Sequence, residues 1–138
     1  MSTRHFLDTN ILLYSISSDQ AEADKRARAI ALLDDDNGAL SIQVLQEFYV
    51  QATRPTRRDR LAHDMAVGFI ATWTRFAIQD ITLSVLKAAL EIKASHGLSY
   101  WDSAIIAAAR AVGCRELYSE DMTHGLEVDG VVIVNPFR

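Results

Sequence analysis

This chain is poor in cysteine, proline and glycine, and it has neither a long apolar run nor a surplus of positive charge. Its one cysteine, Cys114, has no partner for an internal disulfide. The apolar residues around it suit a small buried hydrophobe rather than a nucleophile, and a reducing cytoplasm fits. Both prolines, Pro55 and Pro136, fall outside the helical patterns. No apolar run approaches the ~20 residues of a membrane span. Met1-Ser2-Thr3-Arg4-His5 leads straight into a strand-like segment, which leaves no room for a signal peptide. With 14 Lys and Arg against 18 Asp and Glu, the net charge of −4 argues against a passive nucleic-acid binder. Phosphate-cradling and dinucleotide-binding glycine loops, a Gly-x-Ser-x-Gly elbow and a His-Glu-x-x-His pair are all missing. His5, His63, His96 and His124 share no metal-ligand spacing.

What remains is an ordinary globular composition, 49% hydrophobic and 23% charged, in 138 residues. That length suits one domain over residues 1–138, able to bury about 70% of its unfolded surface without a staple. Strand-like and helix-like segments alternate. Strands are expected at 5–7, 39–42, 76–78, 116–119 and 131–134. Helices are expected at 11–16, 21–33, 43–53, 59–74, 83–95 and from a Ser99 cap to 112. Gly97 and Gly113 stop the last two. The unbroken Val131-Val132-Ile133-Val134 run suits a strand covered on both faces. This order implies a three-layer α/β/α sandwich on a parallel sheet, with ligands beyond the carboxyl ends of its strands.

Four acids stand where such a fold could aim them at one point: Asp8, Glu47, Asp102 and Asp121. Carboxylates without cysteine partners are the ligand set of a hard cation such as Mg²⁺ or Mn²⁺. Each acid also has a structural reading. Asp8 can cap the helix after it, and Asp102 sits in a Ser-x-x-acid capping pattern. Glu47 can be a surface residue, Asp121 can cap a short turn, and Glu120 can face solvent or join the site as a fifth acid. Arg54, Arg57, Arg58 and Arg60 cluster around Pro55, either as a solvated loop or as a grip on a phosphate backbone. Trp73, Trp101 and Tyr100 are assigned to packing, with Tyr100 also open to a stacking role.

Four blocks in order, Phe6 to Tyr14, Ser41 to Tyr49, Leu98 to Ile105 and Leu117 to Gly125, resemble the PIN-domain ribonucleases, and among them the VapC-type toxins of type II toxin–antitoxin pairs. The resemblance implies a five-stranded parallel sheet ordered 3-2-1-4-5. It also implies a Mg²⁺- or Mn²⁺-dependent endoribonuclease, commonly a homodimer, inhibited by a cognate VapB-like antitoxin. The family's four acids correspond to Asp8, Glu47, Asp102 and Asp121, with Asn10 and Ser119 as the polar residues behind them. Two rival readings stay open. One is a metal-dependent enzyme acting on DNA or small phosphoesters; the other is a non-catalytic protein-binding module.

Overall fold

Short apolar strands and side-chain-capped helices do alternate along the chain. The computed structural model describes residues 4–138. The leader-peptide expectation at Met1-Ser2-Thr3 therefore lies outside the described residues. In chain order the elements are β1 (His5–Leu7), α1 (Thr9–Ser15), α2 (Ala23–Leu33), β2 (Gly38–Ser41), α3 (Ile42–Ala52) and α4 (His63–Trp73). They continue with β3 (Ala77–Gln79), α5 (Leu83–His96), α6 (Tyr100–Ala111), β4 (Glu116–Tyr118), β5 (Glu127–Val128) and β6 (Val131–Val134). A 3-10 turn at Gln20–Glu22 precedes α2.

The sheet runs β3-β2-β1-β4-β6-β5. The five strands expected from sequence are parallel and in the expected order, β6 being the fifth of them. The sixth, β5, is a short antiparallel edge on β6 that was not foreseen. Its turn is Asp129-Gly130, both at positive φ (49° and 87°), the backbone that a two-residue hairpin demands. This edge also corrects the reading of the valine run. Val131 and Ile133 are buried while Val132 and Val134 are half-exposed, so β6 is not covered equally on both faces.

Hydroxyl caps begin three helices. Ser41 accepts from Val44 N–H (3.2 Å), Thr82 from Val85 N–H (3.2 Å) and Ser99 from Asp102 N–H (3.1 Å). Gly97, at φ 67°, closes α5 as expected. Helix α4 starts at His63 rather than Asp59, because the Asp59 carboxylate is occupied by Ser18 N–H (2.9 Å) and Arg57 Nε (2.9 Å). Gly38 lets β2 pass under Phe76, since a Cβ there would lie 3.1 Å from that ring.

Phe6, Leu7, Leu40, Leu117 and Ile133 from the sheet pack against Ile11, Phe48 and Ile106 from the helices in one buried cluster. Cys114 is in this cluster, and burial pushes its thiol up to about 11, which keeps it unreactive at neutral pH. No helix among the described residues is long and apolar enough to cross a membrane. The chain leaves β1 towards β2 on one side, and β4 lies on the other. That reversal opens a crevice at the carboxyl ends of β1 and β4.

Candidate active site

Asp8 directly follows β1, and its backbone N–H donates to Tyr118 O (3.0 Å) at the end of β4. The sheet thus carries Asp8 and the post-β4 segment to the same edge. Glu47 comes from the middle of α3, Asp102 from the first turn of α6, and Asp121 from the turn after β4. All four line one cleft of about 130 Å³, together with Thr9, Asn10, Gln51 and Trp101. The structure therefore brings together Asp8, Glu47, Asp102 and Asp121.

The tripeptide Asp8-Thr9-Asn10 ties three of the acids to one another. Asp8 Oδ1 accepts from Thr9 N–H (2.7 Å) and Oδ2 from the Ser119 hydroxyl (2.7 Å). The Thr9 hydroxyl donates to Glu47 Oε2 (2.9 Å), and Asn10 Nδ2 donates to Asp121 Oδ2 (3.2 Å). Gln43, one helical turn before Glu47, donates to its Oε1 (2.8 Å). Ser119 and Asn10 occupy the supporting positions that the sequence suggested. Thr9 and Gln43 were missed as supports; their signal was an uncharged donor beside one acid and four residues before another.

Asp8 is 6% exposed, and burial raises its carboxyl from 3.8 to about 6. The Ser119 and Thr9 hydrogen bonds pull it back, while the charges of Glu47 and Asp121 push it further up. Asp102 is raised as well, first by burial and then by Asp121 and Glu47, against a lowering hydrogen bond from Ser99. The four acids therefore act on one another electrostatically. Among the described residues no three His, Cys, Asp or Glu side chains lie, as they stand, in a group that could hold a metal ion. Three of the acids instead accept from neighbours, Asp8 from Thr9 and Ser119, Glu47 from Thr9 and Gln43, and Asp121 from Asn10. The donor chemistry still fits a hard cation: oxygens only, like charges crowded in one cleft, and a buried Asn10 Oδ1 without a hydrogen-bond partner.

Glu120 is not a fifth acid of this cleft. Tyr14 Oη donates to its Oε1, and Lys25 Nζ lies 2.5 Å from its Oε2. Of the four arginines, Arg57 is half-buried in a side cleft of about 260 Å³ that it shares with Asn10 and Asp121. Arg54, Arg58 and Arg60 are exposed. Trp73 is in the core as expected, but Trp101 is 64% exposed, against its assignment to packing. The buried face of α6 begins at Ser103, so Trp101 in the first turn projects past it.

The family model for the PIN domain matches residues 5–123. The chain belongs to the PIN-domain family. A search of curated proteins finds no match. Among solved structures, this PIN domain is similar to a chain of a toxin–antitoxin complex from Klebsiella pneumoniae, at 20% identity and a TM-score of 0.71, covering 98% of both chains. It is also similar to a sarcin-ricin loop cleaving VapC toxin of Mycobacterium tuberculosis, at 22% identity and a TM-score of 0.66, covering 85% of this chain and 89% of that one. A chain of DNA-bound VapBC from Salmonella typhimurium matches at 16% identity and a TM-score of 0.66, with coverage of 96% and 97%. At these identities the likeness is one of fold.

Replacing Thr9 by valine keeps the side-chain shape and removes the hydroxyl that holds Glu47. The expected result is a drop of about 10- to 100-fold in Mn²⁺ affinity by calorimetry, with the circular dichroism spectrum unchanged.

Proposed function

We propose that this PIN domain is a Mg²⁺- or Mn²⁺-dependent endoribonuclease, the toxin of a type II toxin–antitoxin pair. The observation that carries this reading is the convergence of Asp8, Glu47, Asp102 and Asp121, from four separate segments, on one cleft at the carboxyl edge of the sheet. The fold likeness to chains of toxin–antitoxin complexes supports the partner, a cognate VapB-like antitoxin. Cleavage of the sarcin-ricin loop by the structurally similar Mycobacterium tuberculosis toxin supports RNA as the substrate class. A homodimer working in the cytoplasm belongs to the same reading.

Asp8, Asp102 and Asp121 would hold the cation, with Glu47 as a further ligand or as the group that orients the attacking water. When bound, the cation would offset the crowded negative charge, stabilise charge on the phosphate and acidify water. The chain's own groups fix the geometry. Thr9 and Gln43 hold the two oxygens of Glu47, and Thr9 N–H and Ser119 hold those of Asp8. Asn10 steadies Asp121. Arg57, oriented by its ion pair with Asp59, is the basic residue placed beside these groups. Arg54, Arg58 and Arg60 would add phosphate contacts from the exposed loop, giving affinity that weakens with salt.

The test is a cleavage panel with Mn²⁺: single-stranded RNA, single-stranded DNA of the same sequence and a simple aryl phosphodiester. Internal cuts in RNA, abolished by a chelator, are expected. Cleavage confined to DNA or to the small ester would replace this reading with the broader phosphohydrolase one. Inertness towards all three, with no cation binding, would favour a protein-binding module.

A further inference from the structure

Trp101 belongs to two hollows at once. It lines the carboxylate cleft, and it lines a larger groove of about 570 Å³ that reaches to the β3–α5 connection. Gln43 joins the same two regions, since its amide holds Glu47 while its side chain lines the groove. The Tyr100 ring meets Trp101 edge-on, with centroids 5.0 Å apart and planes at 76°, and 64% of Trp101 remains open to solvent.

The lining of the groove defines what it can take. Its apolar floor includes Tyr100, Leu83 and Leu86, with Gln43, Gln46 and Gln79 also in the lining; Gln43 Nε2 donates to Glu47 (2.8 Å) and Gln79 Nε2 to Asp80 O (3.2 Å). Among the described residues its lining carries one charge, that of Asp80, so nothing there attracts a phosphate. A flat, uncharged group with an apolar face and a hydrogen-bonding edge fits these walls. Such a group, attached to a phosphate lying in the adjoining cleft, is a nucleobase. Every base has a π-face, and stacking on an exposed indole is a sequence-tolerant source of affinity. Glutamine amides, which both donate and accept, add an edge that can discriminate between bases.

We propose that Trp101 is the stacking platform for a nucleobase next to the phosphate that is cut, with the groove glutamines meeting the edge of that base. The assignment rests on the nuclease reading above. A second protein copy could bury the same apolar residues; the place of the indole in the wall of the carboxylate cleft, where the phosphate of a bound strand would lie, is what favours a base.

The experiment uses the full chain carrying Asp8→Asn, which is expected to bind RNA without cutting it. With Mn²⁺ present, it is titrated with a short single-stranded RNA and with an abasic ribose–phosphate oligomer of equal length. Trp73 is buried, so quenching reports on Trp101. RNA should quench the fluorescence and the abasic oligomer should not. By anisotropy of labelled oligomers, adding Trp101→Ala should weaken RNA binding by about 5- to 150-fold and leave the abasic oligomer unaffected. Trp101→Phe should restore most of the loss. Equal RNA affinity with and without the indole would overturn the proposal. So would an equal loss on the abasic oligomer. Loss of RNA binding together with a change of oligomeric state in sedimentation would assign the groove to a second copy instead. If the Asp8→Asn parent binds neither oligomer, the stacking role falls, and the nuclease reading falls with it only if the wild-type chain also makes no internal cuts in RNA; if the parent binds both equally, only the stacking role falls.

Discussion

Asp8→Asn should abolish RNA cleavage and, in the same protein, stabilise the metal-free fold at neutral pH. The two effects have one cause. The Asp8 carboxyl is buried and raised from 3.8 to about 6. Below pH 3.8 it is protonated in both the folded and the unfolded chain and has no effect on stability. Between about 4 and 6 the unfolded chain releases its proton first, so each step up in pH favours unfolding. Above 6 the full cost is present. A displacement of that size corresponds to about 3 kcal/mol. Asparagine is never charged, and its oxygen can still accept from Thr9 N–H. Ser119 can turn to accept from the new amide. The variant should therefore gain about 2–3 kcal/mol at pH 7.5 over the wild type, and the decline in its stability between about pH 4 and 6 should be shallower, with the raised Asp102 carboxyl left to contribute. Chemical denaturation across that range measures both. Activity should fall by at least about 100-fold, beyond the range for removal of a supporting residue. A variant that is both active and unchanged in its pH profile would remove Asp8 from the site.

The second large effect is stabilisation by metal. Mn²⁺ at about 100 times its Kd should add roughly 2.7 kcal/mol to the folded state. For a chain of this length that is a rise in Tm of roughly 8–10 °C. The cation must displace the proton from Asp8, so the rise should shrink below pH 6. Asp8→Asn and Asp121→Asn should each lose most of it. A rise that survives both substitutions would place the cation elsewhere on this acidic protein.

Much of this arrangement is legible in the chain, because local chemistry and global topology agree at the strand ends. Asp8 and Ser119 stand at the ends of two short segments, His5-Phe6-Leu7 and Glu116-Leu117-Tyr118, that read as strands, and parallel crossovers then bring those ends to one edge. The α3 stripe of Val44, Leu45, Phe48 and Ala52 fixes which side of the helix is buried and leaves Glu47 at its margin. The edge strand β5 was not read, although Asp129-Gly130 is a hairpin signal, because two residues carry no periodicity. The start of α4 was misplaced because the ties holding Asp59 come in part from Ser18, 41 residues away. Trp101 was assigned to packing on residue type alone. Its exposure depends on where α6 enters the molecule, and a local pattern does not contain that. The role of Thr9 arises from a contact that exists only once α1 and α3 lie side by side, whereas Gln43 holds Glu47 from four residues away within α3 and was legible.

Anomalous diffraction at the manganese absorption edge, from crystals grown with Mn²⁺, tests the central assignment most directly. A peak is expected inside the cleft bounded by Asp8, Glu47, Asp102 and Asp121, with carboxylate oxygens about 2.0–2.2 Å away, the spacing of small hard divalent ions. A crystal saturated with Mn²⁺ whose peaks all lie outside that cleft would contradict it.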